Sequence, residues 1–443
     1  MTVHKKNLHN HSAAARKRNL YKKSRYYREA RRKLYIAGGI GAFVLIFILL
    51  LAGIRGCSNY RNSRAARKAA AQNAISANSD NETVSQPSDS AAEPVSLTLS
   101  VVGDCTLGTD ETFDYDTSLN AYYDNYGADY FLQNVKSIFS QDDLTIANFE
   151  GTLTESDARE DKTFAFKGPA SFTSILTEGS VEAVNTANNH SHDYGDQSYE
   201  DTLKALDSAG ITHFGYDETA VMDIKGIKVG LVGIYELKDH LEREQQLKDN
   251  IAKVKSDGAQ LIVVIFHWGN ETETVPDSNQ TTLGRLAIDE GADLVCGHHP
   301  HVLQGIETYK GKNIVYSLGN FCFGGNSSPS DMDTMIYQQT FTIDANGVKA
   351  DNVTNVIPCS ISSAAYEGYN NYQPTPAEGD EADRILEKIN ERSAEIQTAE
   401  GTTFTAVYNN DSGSSESNSA DTVYDSENPD DSSNMDTGED SEE

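Results

Sequence analysis

The sequence predicts an α/β fold in which a largely buried sheet forms the core of one domain. Two observations carry this prediction. Short runs rich in Val, Ile and Leu recur along the chain, as is typical of buried strands, and helical patterns separate several of them. This alternation is typical of α/β architectures, and a span of about 260–300 residues is long enough to bury a sizeable core.

The predicted strands are apolar runs that end where polar residues begin. They cover residues 97–104, 144–150, 181–190, 228–234, 261–269, 293–299 and 313–321. Helical patterns cover residues 196–210, 241–258 and 280–291. Beyond residue 330, period-two strands around a turn at Ala345–Gly347 predict a hairpin, and residues 380–397 predict a closing helix.

The N-terminal flank predicts a membrane anchor. Residues 1–34 form a basic arm, and residues 35–55 form an apolar segment whose first 20 residues carry no charge. A helix of about 20 apolar residues spans a bilayer, and the positive-inside rule places the N-terminus in the cytoplasm and the rest outside. A cleaved signal peptide is the alternative; the long basic arm and the missing small-residue cleavage pattern favour an uncleaved transmembrane helix.

Composition sets the remaining boundaries. Residues 56–95 are rich in Ala, Ser and Asn and predict a disordered linker. The core domain is expected over residues 96–360, followed by an extension with the closing helix over 361–397. Residues 398–443 predict a disordered acidic tail, since the last 33 residues contain 12 acids and no Lys or Arg. We expect removal of residues 400–443 to leave the domain intact.

Charge and cysteine usage narrow the class of function. From residue 96 onward, 19 Lys and Arg stand against 62 Asp and Glu, which excludes nucleic acid as a partner because phosphate binding needs a basic face. The five cysteines are an odd number without repeated spacing. Cys105, Cys296 and Cys322 lie in apolar runs and are predicted to be small buried hydrophobic residues.

Polar clusters follow the predicted strands. Six of the 11 histidines fall in "TANNHSHDYG" (186–195), "FHWGNE" (266–271) and "GHHPH" (297–301). The carboxyl ends of strands form the binding crevice of an open α/β sheet, so we expect these groups to meet at one edge. The predicted metal ligands are Asp104, Glu150, Asn189, His190, His267, His299 and His301.

The ligand types favour a divalent metal ion, either Mn, Zn, Fe or Mg, as one or two ions. Considered alone, Asp104 could be a turn residue, Glu150 a solvated loop acid and His267 a core histidine; the combination predicts the site. His190, Asp193 and His298 are predicted to be catalytic, with His190 as the proton donor to a leaving group. Neither a nucleophile elbow nor a P-loop is present in the sequence.

Six motifs together resemble a known family. "VVGDCTLG", "ANFEGTLT", "TANNHSHDYG", "FHWGNE", "CGHHPHVLQGIE" and "YSLGNFCF" occur in the order found in the poly-γ-glutamate capsule biosynthesis family of CapA/PgsA type. The resemblance covers residues 96–360. It implies a metallophosphatase-like four-layer α/β sandwich and association with the membrane subunits of a poly-γ-glutamate synthase in the envelope of Gram-positive bacteria.

A more remote resemblance connects the predicted ligands with calcineurin-type metallophosphoesterases. This chain departs from that pattern at Thr106, where a histidine is expected, and at Glu150, where the bridging carboxylate is an aspartate. The first departure implies that one of two metal positions has lost a ligand. His192 and His298 are possible substitutes, or groups that orient the ligands.

Three classes of function remain open. The first is a membrane-anchored, extracellular, metal-dependent hydrolase or transferase acting on an anionic wall or capsule polymer. The second is a non-catalytic accessory or scaffold of polymer synthesis and export, because a fold does not establish an activity. The third is a wall-exposed adhesin or sensor.

Overall fold

The computed structural model describes residues 93–351, 353–397 and 404–409. The predicted basic arm, transmembrane helix and most of the linker lie outside the described residues, as does most of the acidic tail. Within the described residues, no helix has both the length and the apolar character needed to cross a bilayer.

The strands of the described chain are β1 Val95–Thr106, β2 Leu144–Phe149, β3 Thr152–Leu153, β4 Lys167–Gly168, β5 Ala183–Asn185, β6 Thr212–Phe214, β7 Ala220–Ile224, β8 Ile227–Tyr235, β9 Leu261–His267, β10 Leu294–His298, β11 Ile306–Tyr309, β12 Lys312–Val315, β13 Asn320–Phe323, β14 Asp333–Asp344, β15 Gly347–Val348, β16 Val353–Ser360 and β17 Thr375–Pro376. The two longest strands of the described chain, β1 and β14, have 12 residues each and are neighbours in the larger sheet.

The α-helices connect these strands. They are α1 Leu119–Tyr126, α2 Lys136–Phe139, α3 Thr173–Glu178, α4 Asp196–Ala209, α5 Glu244–Ser256, α6 Ser278–Asp289 and α7 Gly379–Ala394. Short 3-10 turns cover Tyr115–Thr117, Ala128–Tyr130, Ala170–Phe172, His240–Arg243 and Ala365–Glu367.

Two mixed sheets form the centre of the domain. Strands β17-β16-β14-β1-β2-β5-β6 form the main path of the larger sheet, in which β13 also pairs with β1 and β15 with β14. Strands β11-β12-β10-β9-β8-β7 form the smaller sheet. The strands β1, β2 and β5 run parallel to one another, as do β8, β9 and β10, so each sheet presents neighbouring carboxyl ends.

Apolar side chains pack in layers on both faces of the two sheets. One buried cluster joins residues of both sheets, including Val101 of β1 and Val263 of β9. A second lies between the larger sheet and helices α1 to α4, and a third between the smaller sheet and helices α5 and α6. The prediction of an α/β fold with buried sheets is therefore confirmed, in an arrangement of two sheets with helices outside them.

Helix α7 packs its apolar side on the cluster between the sheets, where Ala382, Ile385 and Ile389 are buried. Its polar side carries an ionic group that we call the α7 clamp, formed by Asp333, Arg384 and Lys388. Two nitrogens of the Arg384 guanidinium donate to the two oxygens of Asp333 at 2.6 and 2.8 Å, and Lys388 also contacts this carboxylate. The clamp fixes α7 to the start of β14.

The predicted strand 313–321 is divided between the two sheets. Strand β12 belongs to the smaller sheet and β13 to the larger, and residues 316–319 cross between them. Gly319 adopts a φ of 73°, and its carbonyl accepts a hydrogen bond from the Asp104 amide at 3.0 Å. A Cβ on Gly103 would lie 2.2 Å from this carbonyl oxygen, so the close approach of the two segments requires glycine there.

Six residues of the predicted acidic tail are among those that the structure describes. Residues 404–409 lie against the folded domain, with Phe404 and Ala406 buried in the cluster between the sheets. The amide of Val356 donates to the Val407 carbonyl at 2.8 Å. The expectation that residues 400–443 can be removed without effect stays a prediction, and the burial of Phe404 opposes it, because truncation would expose the apolar residues that Phe404 covers.

Candidate metal centre

Seven predicted ligands meet between the carboxyl ends of strands from both sheets. Asp104 lies in β1 and Glu150 directly follows β2, while His267 ends β9. The prediction that these groups gather at one edge needs correction, since two sheets contribute to the group. We call it the strand-end cluster: Asp104, Glu150, Asn189, His190, His267, His299 and His301.

Glu150 occupies the middle of the cluster. Its carboxylate is fully buried, and its Oε2 accepts a hydrogen bond from the Thr106 hydroxyl at 3.3 Å. Its Oε1 has no hydrogen-bond partner among the described residues. Three imidazole Nε2 atoms surround this oxygen, those of His190 at 3.8 Å, His301 at 3.9 Å and His267 at 4.0 Å. Burial raises the pKa of Glu150 above its ordinary value.

Asn148 lies outside the strand-end cluster and positions two of its members. Its Nδ2 donates to Asp104 Oδ1 at 2.8 Å and lies 3.3 Å from His267 Nδ1. Its Oδ1 accepts from Asn185 at 2.8 Å, so the amide orientation is set by the next strand. On the other side of the ring, His267 Nε2 lies 2.7 Å from Asn189 Oδ1.

His299 and His301 extend from the loop that follows β10. Both have left-handed backbone conformations, with φ of 95° and 56°. His301 Nδ1 lies 2.9 Å from Asn320 Oδ1 and 3.3 Å from Asp104 Oδ2. The His299 ring is 4.9 Å from the ring of His267, and its buried Nδ1 has no hydrogen-bond partner in the part of the chain that the structure describes.

The two neighbouring imidazoles have opposite charge preferences. Burial and the proximity of His301 lower the pKa of His299 to about 3, so its ring is neutral. Burial opposes a charge on His301, but the carboxylates of Glu150 and Asp104 raise the pKa of His301 to about 10. A proton on His301 thus compensates part of the buried negative charge, in a place where a cation would compensate more of it.

His190 is oriented by a carboxylate and an ammonium group. Its Nδ1 lies 2.8 Å from Asp193 Oδ2, and the Lys162 ammonium donates to Asp193 Oδ1 at 2.7 Å. Lys162 also donates to the Asn189 carbonyl at 2.8 Å. With Nδ1 bonded to Asp193, the His190 Nε2 is directed to the Glu150 side of the cluster.

The donor groups fit a divalent cation. Ligand atoms of Asp104, Glu150 and His301 lie within 4.8 Å of one another, as do those of Glu271, His299 and His301. Ligands about 2.0–2.2 Å from one ion can be separated by up to about 4.4 Å, so adjustments well under an ångström would suffice. Buried carboxylate oxygens normally have a hydrogen-bond partner, so the partnerless oxygen of Glu150 is consistent with binding of an ion at this place.

Two predicted histidines lie apart from the cluster's contacts. His298 is fully buried, and its Nε2 donates a hydrogen bond to the Val102 carbonyl at 2.9 Å. This bond joins the two sheets. The half-exposed His192 stacks on Tyr199 at 4.7 Å and pairs with Asp196 at 3.2 Å. The roles predicted for these two histidines stay predictions, and His298 Nδ1 is itself buried without a hydrogen-bond partner among the described residues.

Several residues at the centre escaped the sequence reasoning: Asn148, Lys162, Glu271 and Asn320. Asn148 and Asn320 lie inside apolar runs, where an amide is unusual because burial demands a partner. This signal could have identified both. Lys162 lies in a polar loop and Glu271 is exposed, so composition alone does not distinguish either from a surface residue.

A cavity of about 290 Å³ opens beside the cluster. Its lining includes His190, His301 and Glu271, together with the phenylalanines Phe113, Phe164, Phe166 and Phe323. Phe164 and Phe166 lie nearly parallel, with ring centroids 6.4 Å apart. Among the described residues, no Lys or Arg lines this cavity.

Comparisons with known proteins agree on one family. A family model described as bacterial capsule synthesis protein PGA_cap matches residues 98–325. The capsule biosynthesis protein CapA of Bacillus anthracis is 30% identical over 253 residues, which cover 51% of this chain and 60% of that protein. The PGA biosynthesis protein CapA of Bacillus subtilis (strain 168) is 30% identical over 248 residues, which cover 51% and 63%.

The chain therefore spans less than two thirds of the length of these two relatives. Among solved structures, a hypothetical protein from Thermus thermophilus aligns with 59% of this chain and 98% of its own, at 13% identity and a TM-score of 0.37.

Proposed function

This chain belongs to the PGA_cap family of bacterial capsule synthesis proteins, and from this premise we propose that it is a divalent-metal-binding protein of poly-γ-glutamate capsule synthesis or export. The names of its Bacillus relatives, a capsule biosynthesis protein and a PGA biosynthesis protein, support this assignment. The layered arrangement of two sheets with outer helices supports a metallophosphatase-like four-layer sandwich as the finer description of its fold.

One observation carries the metal proposal. Glu150 Oε1 is buried, without a partner among the described residues, at the centre of three imidazole nitrogens, each about as far away as ligands on opposite sides of one ion. Asp104, Glu150 and His301 would hold the ion in the buried position, with Asn189, His190, His267 and His299 around it. Asn148 and Asn320 would orient the ligands by their hydrogen bonds to Asp104, His267 and His301.

The proposed chemistry is hydrolysis or transfer on an anionic wall or capsule polymer. A bound divalent cation would supply Lewis acidity to a carbonyl or phosphoryl oxygen. Asp193 holds His190 Nδ1, which leaves Nε2 as the atom that exchanges a proton with a leaving group. The 290 Å³ cavity gives a substrate access to His190 and His301, while its phenylalanines exclude water from part of the surface.

The membrane assignment is also a proposal. The 12 Lys and Arg before residue 36, followed by an uncharged segment, support a single-pass protein with a cytoplasmic N-terminus and an extracellular domain. Membrane subunits of a poly-γ-glutamate synthase would be its partners. Protease added to intact protoplasts should remove the folded domain and spare an N-terminal tag; digestion of the tag would reverse the topology.

A non-catalytic accessory role is the second candidate. Thr106 stands where a histidine ligand is expected, and its hydroxyl instead donates to Glu150 Oε2, which favours a centre with fewer ligands than a full two-metal hydrolase has. In that case the ion would stabilise the domain and would not take part in a reaction.

Glu150→Gln separates these functions, with the exposed Glu155→Gln as the matched control. Both full-length variants and the wild type are dialysed against the same free metal concentration, their metal content is measured, and each is expressed in a poly-γ-glutamate producer that lacks its own relative. We expect Glu150→Gln to contain less metal than the wild type and to fail in polymer synthesis. Loss of metal with normal polymer would support the accessory role, and unchanged metal content would refute the metal proposal.

A further inference from the structure

We propose that Glu271 is a metal ligand, and that with His299 and His301 it forms a second cation position on the cavity side of the centre. This inference rests on the proposed metal-binding function and extends it. The buried position consists of Asp104, Glu150 and His301, and the cavity-side position of Glu271, His299 and His301. Because His301 occurs in both groups, the two positions are immediate neighbours, and since one imidazole nitrogen binds only one ion, His301 would serve one position at a time.

The donor set of the cavity-side position fits a catalytic type of metal site. Its ligand atoms lie within 4.8 Å of one another. Two imidazoles and one carboxylate are a known ligand set for zinc in catalytic centres, where a fourth coordination position stays open. Glu271 and His301 both line the 290 Å³ cavity, so the open position would face the space from which a substrate enters.

A second, independent observation points to a ligand at this place. His299 is 6% exposed, and its Nδ1 is buried without a hydrogen-bond partner among the described residues. Leaving such a nitrogen unpaired costs its desolvation without the return of a hydrogen bond, so a partner outside the described chain is expected.

The loop that carries Glu271 is fixed to the loop that carries the two histidines. The Trp268 amide donates to the His298 carbonyl at 3.1 Å, and the Thr272 amide donates to the Pro300 carbonyl at 2.8 Å. A third bond joins Gln304 Nε2 to the Glu273 carbonyl at 2.9 Å. These contacts on both sides of Glu271 hold its backbone in place, so little ordering is needed for its carboxylate to ligate an ion.

Glu273 provides a matched control for a test of Glu271. It lies two residues away on the same loop, is exposed, and contributes only its carbonyl to the contact with Gln304. Glu271→Gln and Glu273→Gln thus remove the same charge from nearly the same place. The full-length wild type and both variants are titrated with Zn²⁺ alone, and stoichiometry and affinity are measured by calorimetry.

We expect Glu271→Gln to weaken binding at the cavity-side position at least about tenfold, with Glu273→Gln indistinguishable from the wild type. Zn²⁺ binding to Glu150→Gln should persist at the cavity-side position. Equal titrations of Glu271→Gln and Glu273→Gln, in a wild type that does bind Zn²⁺, would refute the role of Glu271 alone. A wild type that binds no Zn²⁺ or other divalent ion would refute the proposed function as well.

Discussion

The α7 clamp and the strand-end cluster both bury carboxylates, but they differ in how the negative charge is balanced. In the clamp, one carboxylate of Asp333 receives a bidentate guanidinium and an ammonium group. In the strand-end cluster, Asp104 and Glu150 face the His301 imidazole at 3.3 and 3.9 Å, and Glu150 Oε1 has no hydrogen-bond partner among the described residues. A buried carboxylate whose oxygens all have partners in the protein is typical of a structural contact. A buried carboxylate with a partnerless oxygen points to a ligand from outside the chain.

The largest expected effect separates the two clusters by their response to metal. Glu150→Gln replaces a buried carboxylate whose Oε1 has no hydrogen-bond partner in the described chain, so the metal-free variant should be at least as stable as the wild type. Binding of an ion at 100 times its dissociation constant stabilises a protein by about 2.7 kcal/mol. We expect Glu150→Gln to lose the part of this gain that the ion in the buried position supplies, as measured by denaturant unfolding with and without metal. A metal-free variant that is strongly destabilised would contradict the distinction.

Asp333→Ala should produce the next largest effect and the opposite pattern. It leaves Arg384 and Lys388 without their shared partner, and because both cations are partly exposed we expect a loss of about 2 kcal/mol in the free energy of unfolding. The loss should be the same with and without metal. Chemical denaturation under both conditions measures it, and a metal-dependent loss would show that the clamp and the cluster are coupled.

The pH dependence of the clamp follows from the direction in which the pKa of Asp333 is shifted. Burial opposes the charge of Asp333, but the hydrogen bonds from Arg384 and Lys388 lower the pKa of Asp333 below its ordinary value. The stabilisation is therefore present above the ordinary carboxyl range and is lost as the pH falls through the lowered pKa. We expect the stability difference between wild type and Asp333→Asn to shrink from pH 7 to pH 3. A constant difference would assign the effect to packing.

The smallest expected effect concerns Asp142, a partly buried carboxylate outside both the α7 clamp and the strand-end cluster. Burial raises the pKa of Asp142 to about 6, although its Oδ2 accepts a hydrogen bond from the Thr145 hydroxyl. Its contribution is favourable below the ordinary carboxyl range and is lost as the pH rises through about 6. Asp142→Asn should therefore stabilise the protein at pH 8 by about 1 kcal/mol, after allowance for partial exposure, and should have little effect at pH 4. Denaturant unfolding at the two pH values measures the difference, and equal effects at both would contradict the raised pKa.

Local pattern predicted the elements better than it predicted their partners. The helix expected at 196–210 is observed as Asp196–Ala209, ending at Gly210 in a left-handed conformation. The helix expected at 280–291 begins two residues earlier, because Asp277 and Gln280 form a capping box. The hairpin turn at Ala345–Gly347 is confirmed by the pairing of β14 with β15. The four cysteines within the described chain are buried and unpaired, as expected for those in apolar runs.

Tertiary contacts explain what the pattern missed. The run 181–190 forms a strand only at Ala183–Asn185, because the side chain of Asn188 donates to the Phe149 carbonyl and turns the chain away from the sheet. The division into two sheets depends on which strands pair over long separations, and no local periodicity reports that. Strand exits identified the residues of the strand-end cluster, whereas Lys162 and Glu271 reach it from loops whose course only the folded chain defines.

The crossing at residues 316–319 has a consequence for how the domain unfolds. Four residues connect β12 of one sheet to β13 of the other, and Ser317 donates to the Val302 carbonyl at 2.7 Å within this segment. Neither sheet can separate without breaking these buried contacts, so the two halves should melt in a single cooperative transition. Amide exchange of β9 and β1 should accordingly proceed through the same global opening. The amides of the two strands should exchange at the same rate under conditions in which opening limits the rate.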